Sequence, residues 1–143
     1  MKNQFKTQLF LFIFSLVMFT NCKKSDEINP ANIADKIAGN YTMTLIAVNG
    51  QSINLPYNQG GEQLSGTIAI SKVSATSILF TYTLNSVISG IKNQKSDSGN
   101  FDIKQNGSVI ELYDAGSNVK VGALSGTVLS IDSDGTKINA NRN

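Results

Sequence analysis

The residues able to do chemistry in this chain are few. Cys22 is the single cysteine among 143 residues, and there is no histidine. Without histidine, Ser-His-Asp and Cys-His devices are excluded, as are zinc, copper and haem sites built on imidazole. Carboxylates, hydroxyls and lysines remain. Asp132-Ser133-Asp134-Gly135 has the acidic texture of a calcium loop. An EF-hand needs further oxygen ligands and a bidentate Glu downstream; none follows, so the segment reads as a polar hairpin tip. Asp97, Asp102, Glu111 and Asp114 would have to face one another across a cleft to act as a glycosidase pair. Their placement near Ser, Gly and Asn reads instead as turns or solvent faces. Gly60-Gly61 lacks the Gly-Lys context of a phosphate loop and reads as a turn. The sequence therefore predicts no enzyme, no cofactor and no metal.

Cys22 is placed by what flanks it. Lys2 and Lys6 form a positive head, and Leu9 to Phe19 is apolar apart from Ser15. As a helix, that run is about 16 Å long at ~1.5 Å per residue. It is too short for a bilayer core, which needs roughly 20 residues. It suits the apolar region of a secretory signal. Directly after the cysteine comes Lys23-Lys24-Ser25-Asp26-Glu27.

Phe19-Thr20-Asn21-Cys22 resembles the lipobox of bacterial lipoproteins. The resemblance implies cleavage after Asn21, thioether lipidation of Cys22 and acylation of the new amino terminus. The charged residues that follow are similar to the surface-export signal of Bacteroidota-type lipoproteins. That implies an outer-membrane protein, lipid-anchored and facing the medium, with the membrane as its first partner.

Three segments follow. Residues 1–21 are the signal, residues 22–38 a lipidated tether with a short helical turn, and residues 39–143 one folded domain. Removing Lys2 and Lys6 from the twelve Lys and Arg leaves ten, against ten Asp and Glu. A balanced chain with no basic patch is not expected to bind nucleic acid. With one cysteine no internal disulfide forms, so the domain must hold by its core. In the turn, Pro30 can open a helix after Asn29, Ile33 and Ile37 share a face, and Gly39 ends it.

From Tyr41 onward, short runs rich in Ile, Val, Thr, Tyr and Phe alternate with Asn, Gly, Asp and Ser clusters. This texture predicts antiparallel strands joined by tight turns. Strands are expected near Tyr41–Val48, Ser52–Leu55, Leu64–Ser71, Ser77–Asn85, Asn100–Gln105, Ser108–Tyr113, Val119–Gly122, Thr127–Ile131 and Lys137–Ala140. Asn49-Gly50, Asn106-Gly107 and Asp134-Gly135 are hairpin signals, since such pairs accept the positive φ angles of type I′ turns. Ile78, Phe80, Tyr82 and Leu84 fall on one face of their strand. Leu64, Ile68 and Ile70 do likewise, with Gly66 in the same row. Leu64-Ser65-Gly66-Thr67-Ile68 recurs as Leu124-Ser125-Gly126-Thr127-Val128, either because similar strands use similar residues or because the two occupy equivalent barrel positions. The predicted fold is all-β, an antiparallel up-and-down barrel of about eight strands. A two-sheet sandwich is the alternative.

Ile37-Ala38-Gly39-Asn40-Tyr41-Thr42-Met43-Thr44, followed by Val48-Asn49-Gly50-Gln51, is similar to the opening of small bacterial lipocalin-like domains. In that resemblance Gly39 and Tyr41 stand at the start of the first strand, with tyrosine in the aromatic position. Arg142, the single arginine, would lie across the Tyr41 ring and close the barrel floor. The resemblance also implies a small apolar ligand in the barrel mouth. Its lining would be Met43, Leu64, Ile68, Ile78, Phe80, Tyr82, Leu84 and Phe101. The same residues would be plain core in a barrel filled by side chains. In that case the protein would serve as a surface display or interaction module. Its polar loops, Gln51–Gln63 and Ser86–Gly99, would meet a protein partner.

Overall fold

A computed structural model describes residues 33–143. The segment expected to be a signal, Cys22, Pro30 and the expected tether up to residue 32 lie outside the described residues.

The described residues open with a short helix, α1 (Ile33–Ile37), whose apolar residues Ile33, Ala34 and Ile37 are all buried. Asp35 and Lys36 lie on its exposed face. Ten strands follow: β1 (Gly39–Val48), β2 (Gln51–Asn54), β3 (Tyr57–Gln59), β4 (Glu62–Lys72), β5 (Ser77–Ile88), β6 (Ile91–Asn106), β7 (Val109–Asp114), β8 (Lys120–Ser125), β9 (Val128–Ser133) and β10 (Thr136–Arg142). Every pairing is antiparallel between neighbours.

Eight of these strands form a closed ring in the order β1-β10-β9-β8-β7-β6-β5-β4, and β4 returns to β1. The closing seam runs from Gly39↔Ile70 to Thr42↔Thr67. Closure excludes the sandwich, because a sandwich leaves its sheet edges open. Above Thr42 the two seam strands part. β2 then takes the free edge of β1, and β3 takes that of β4. Within the expected loop Gln51–Gln63, the short strand expected near Ser52–Leu55 is β2, while β3 is not among the expected strands; both lie outside the ring. Leu55, between them, is buried and donates its N–H to the Thr44 carbonyl at 2.9 Å, which pins the excursion to the barrel.

A second correction concerns β6. The sequence predicts a loop over Ser86–Gly99, but β5 runs on to Ile88 and β6 begins at Ile91. Ser89 and Gly90, with φ of 53° and 80°, form the intervening turn. The polar run Lys92–Ser98 has little strand propensity of its own. Pairing with β5, from Ile88↔Ile91 down to Ser77↔Asp102, imposes the extended form. β7 accompanies β6 only from Phe101 onward. The upper β5–β6 hairpin therefore extends past the end of β7.

The repeated Leu-Ser-Gly-Thr segments are not equivalent. Gly66 sits inside β4 opposite Leu84, whereas Gly126 lies in the turn between β8 and β9. The Asn106-Gly107 signal is displaced by one residue. Asn106 pairs with Val109, so Gly107 and Ser108 make the turn.

Alternating side chains fill the lower barrel. Ile68, Ile70, Ile78, Ile103, Leu112, Leu129 and Ala140 are among the buried residues of one continuous cluster that includes α1. Among the described residues the buried side chains are apolar apart from the Tyr41 hydroxyl. β8 approaches β9 so closely that a Cβ at Gly122 would collide with the Ser130 carbonyl oxygen and lie 2.7 Å from Ile131 Cδ1. A backbone oxygen cannot swing aside. Gly122→Ala should therefore lower stability by about 1–3 kcal/mol. A fall in the urea midpoint with an unchanged slope checks this.

Candidate functional site

The barrel has a mouth and a floor. Asn49 donates its N–H to the Gly135 carbonyl at 3.0 Å, which gathers two hairpin turns at the mouth. α1 and the end of β10 lie at the opposite end.

The mouth holds an open cavity of about 550 Å³, within the ~300–1,000 Å³ range of ligand pockets. Phe80, Tyr82 and Leu84 of β5 and Phe101 of β6 form one wall; Ile46 and Val48 of β1, Ile131 of β9 and Ile138 of β10 form the other. Phe80 and Phe101 meet edge to face, with ring centroids 5.5 Å apart, a favourable geometry for aromatic pairs. Lys95, Asp97, Ser98, Ser133, Asp134 and Thr136 supply a polar rim.

Of the residues expected to line a pocket, Phe80, Tyr82, Leu84 and Phe101 do so. Met43, Ile68 and Ile78 are at most 1% exposed and lie in the core. Met43 packs its sulfur against Gly66. Leu64 is half-buried and packs on the same cluster.

The wall of Ile46 and Val48 was missed for a physical reason. Strict alternation from Met43 would send Leu45 and Ala47 inward. The register shift between Met43 and Leu45 marks a bulge at Thr44, which re-aims the strand. Ile131 and Ile138 are a cross-strand pair on β9 and β10. Their apolar alternation with Ser130, Asp132, Lys137 and Asn139 was the available signal.

The floor brings Gly39, Tyr41 and Arg142 together. Tyr41 is fully buried and its hydroxyl donates to the Ile37 carbonyl at 2.6 Å. The Arg142 guanidinium carbon stands 6.0 Å from the Tyr41 ring centroid, at the outer reach of a cation–π contact. Its Nη1 donates to the Lys36 carbonyl at 2.7 Å and its Nη2 to the Ala38 carbonyl at 2.5 Å. These carbonyls leave the end of α1, where a helix lacks internal partners. Gly39 has φ of 146°, and a Cβ there would lie 3.4 Å from Arg142 Nε. Burial pushes the Tyr41 hydroxyl above its ordinary value, and the Arg142 charge partly offsets this.

The carboxylates are engaged separately. Glu111 accepts from Lys120 Nζ at 2.6 Å and from the Tyr113 hydroxyl at 2.9 Å. These hydrogen bonds hold Glu111 below the usual carboxylate range and raise Tyr113 and Lys120. Asp102 accepts the Gly116 N–H at 3.2 Å. Asp132 pairs with Lys137 at 3.2 Å, and the Ser133 hydroxyl donates to Asp134 at 3.4 Å. Asp97 and Asp134 both stand on the cavity rim, with Lys95.

Fold and site define a small closed antiparallel β-barrel, filled below and open above into one apolar, polar-rimmed cavity. No family model matches the chain, and neither a curated protein nor a solved structure matches it.

Proposed function

We propose that this protein is an outer-membrane lipoprotein, anchored through Cys22, whose barrel holds a small hydrophobic ligand at its mouth. One observation carries the ligand reading: Ile46 and Val48 on one wall, and Tyr82, Leu84 and Phe101 on the other, remain partly open around a cavity of about 550 Å³. A domain that needed them only for stability would bring them together, since buried interiors pack without voids larger than water. The core cluster takes in Phe80, Ile131 and Ile138, and the partly open wall residues beside them are free to serve binding. The reading assigns no catalysis, in line with a chain that has no histidine.

The test is uptake. Native mass spectrometry of the protein from its own host should show a bound apolar molecule, and a panel of fatty-acid and retinoid-like probes should include binders. Leu84→Lys places a charge in the cavity wall while Leu84 is only half-buried. It should weaken probe binding about tenfold or more, a loss of ~1.4 kcal/mol or more. The melting temperature should change little. An empty protein that also refuses every probe sinks the reading.

A further inference from the structure

The hairpin that extends past β7 carries a further feature in its backbone edge. In antiparallel strands, residues alternate between pairs that exchange hydrogen bonds and pairs that do not. The two-residue turn at Ser89-Gly90 makes Ile88 and Ile91 a bonded pair. The odd-numbered residues of β6 therefore bond to β5. The even-numbered ones turn their N–H and C=O to the other edge. The turn into β7 sets the same parity, because Asn106 and Val109 flank it. Below Phe101 the even-numbered groups meet β7. From Lys92 to Ser98, among the described residues, no strand meets them.

This edge is unbroken and braced. The β5–β6 register runs without a shift from Ile88↔Ile91 to Ser77↔Asp102. Gln94 donates to the Asn85 side chain at 2.9 Å, and Ser96 Oγ donates to the Tyr82 carbonyl at 2.9 Å. Side chains thus tie back onto β5 and leave the strand edge open. Such an edge is a template for another strand.

We propose that this edge pairs with the same edge of a second copy of the chain, about a two-fold axis at Ser96. The charge order selects this partner. With Ser96 opposite Ser96, Gln94 lies opposite Ser98, and Lys95 lies opposite Asp97 of the second copy. The symmetry repeats that pair, as it must in an isologous contact. Lys95 and Asp97 form non-hydrogen-bonded pairs in this register, where side chains stand closest. Asp97 Oδ1 holds the Ser98 N–H at 2.8 Å in the single chain. Pairing passes that N–H to the Gln94 carbonyl of the second copy and frees the carboxylate for Lys95. A ladder this short covers less than the ~1,000 Å² of a stable interface, so the pairing depends on concentration.

The test uses the full chain carrying Cys22→Ala, so that an introduced cysteine is the only thiol. Opposed Cα atoms in a bonded pair stand ~5.5 Å apart, within disulfide reach. Ser96→Cys should therefore cross-link readily under mild oxidation. Gln94→Cys should not, since its two copies would be offset by four residues, or ~13 Å at ~3.3 Å each. In the Ser96→Cys background, Lys95→Asp should slow cross-linking roughly tenfold by setting like charges opposite each other. Asp97→Lys should do the same, and the double exchange Lys95→Asp/Asp97→Lys should restore the rate. Equal cross-linking of Ser96→Cys and Gln94→Cys overturns the proposal. So does indifference to the single charge reversals, or an absence of cross-linking at every protein concentration.

Discussion

Tyr41→Ala should lower the stability of the barrel by about 3–5 kcal/mol, the cost of truncating a buried aromatic. The ring is fully buried and sits where α1 meets the first strand. Its hydroxyl also satisfies the Ile37 carbonyl at the end of the helix. Losing the ring opens a cavity at the floor and leaves that carbonyl without its donor. Tyr41→Phe separates the two effects. It keeps the ring and removes only the hydrogen bond, so it should cost about 1–3 kcal/mol. Arg142→Ala removes two donors from Lys36 and Ala38 at a solvent-exposed position, and about 1 kcal/mol is expected there. The order Tyr41→Ala, Tyr41→Phe, Arg142→Ala should appear in urea midpoints. An Arg142→Ala loss equal to that of Tyr41→Ala would mean that the guanidinium, and not the ring, carries the floor.

The same residue predicts a pH effect whose sign follows from its burial. Tyr41 titrates above the ordinary tyrosine value of 10.0 in the folded protein. Above that ordinary value the unfolded chain releases a proton that the folded chain keeps. Stability should therefore fall as pH rises past about 10. Below it both states hold the proton and the contribution is constant. Tyr41→Phe should lack this component of the alkaline loss, which a comparison of the two proteins' urea midpoints across alkaline pH checks.

How much of this was legible in the sequence depended on whether the signal was local. Alternation on β4 and β5 was legible because one face of each is buried, so Ile68, Ile70, Ile78 and Phe80 repeat at a period of two. Asn49-Gly50 and Asp134-Gly135 were legible because few other pairs tolerate two positive φ angles. The upper half of β6 was hidden, because Lys92-Asn93-Gln94-Lys95-Ser96-Asp97-Ser98 is extended by its partner and not by its own preferences. Ser89-Gly90 gave little warning, since serine is an uncommon residue at positive φ. The cavity was half legible for the same reason. Its β5 wall obeys alternation, while its β1 wall depends on a bulge at Thr44 that no local pattern announces. The apolar row on β5 could not by itself divide core from lining. That division follows from height in the barrel: Ile78 lies low and buried, Tyr82 and Leu84 lie high and open.

Cys22→Ala should move the protein from the membrane fraction to the soluble fraction and abolish incorporation of labelled fatty acid, with no change in the melting temperature of the barrel. The expectation rests on the apolar run Leu9–Phe19 and the Phe19-Thr20-Asn21-Cys22 segment, together with the lipobox resemblance they carry. Each buried methylene of an acyl chain contributes ~0.8 kcal/mol, and stable anchoring takes about two such signals. A thioether-linked diacyl group with an acylated amino terminus exceeds that requirement. Removing the thiol removes every chain at once, so the effect should be all-or-none. The barrel should be indifferent, because its ring closes through pairs between β1 and β4, from Gly39↔Ile70 to Thr42↔Thr67, around a core gathered from the described strands and α1. The charged stretch Lys23-Lys24-Ser25-Asp26-Glu27 gives a finer test of the side on which the barrel stands. Replacing those residues by alanine should leave fatty-acid labelling intact and protect the barrel from protease added to whole cells. Labelling that survives Cys22→Ala would remove the anchor, and the lipoprotein reading with it. The mouth cavity and its ligand test would stand, because they depend on the barrel alone.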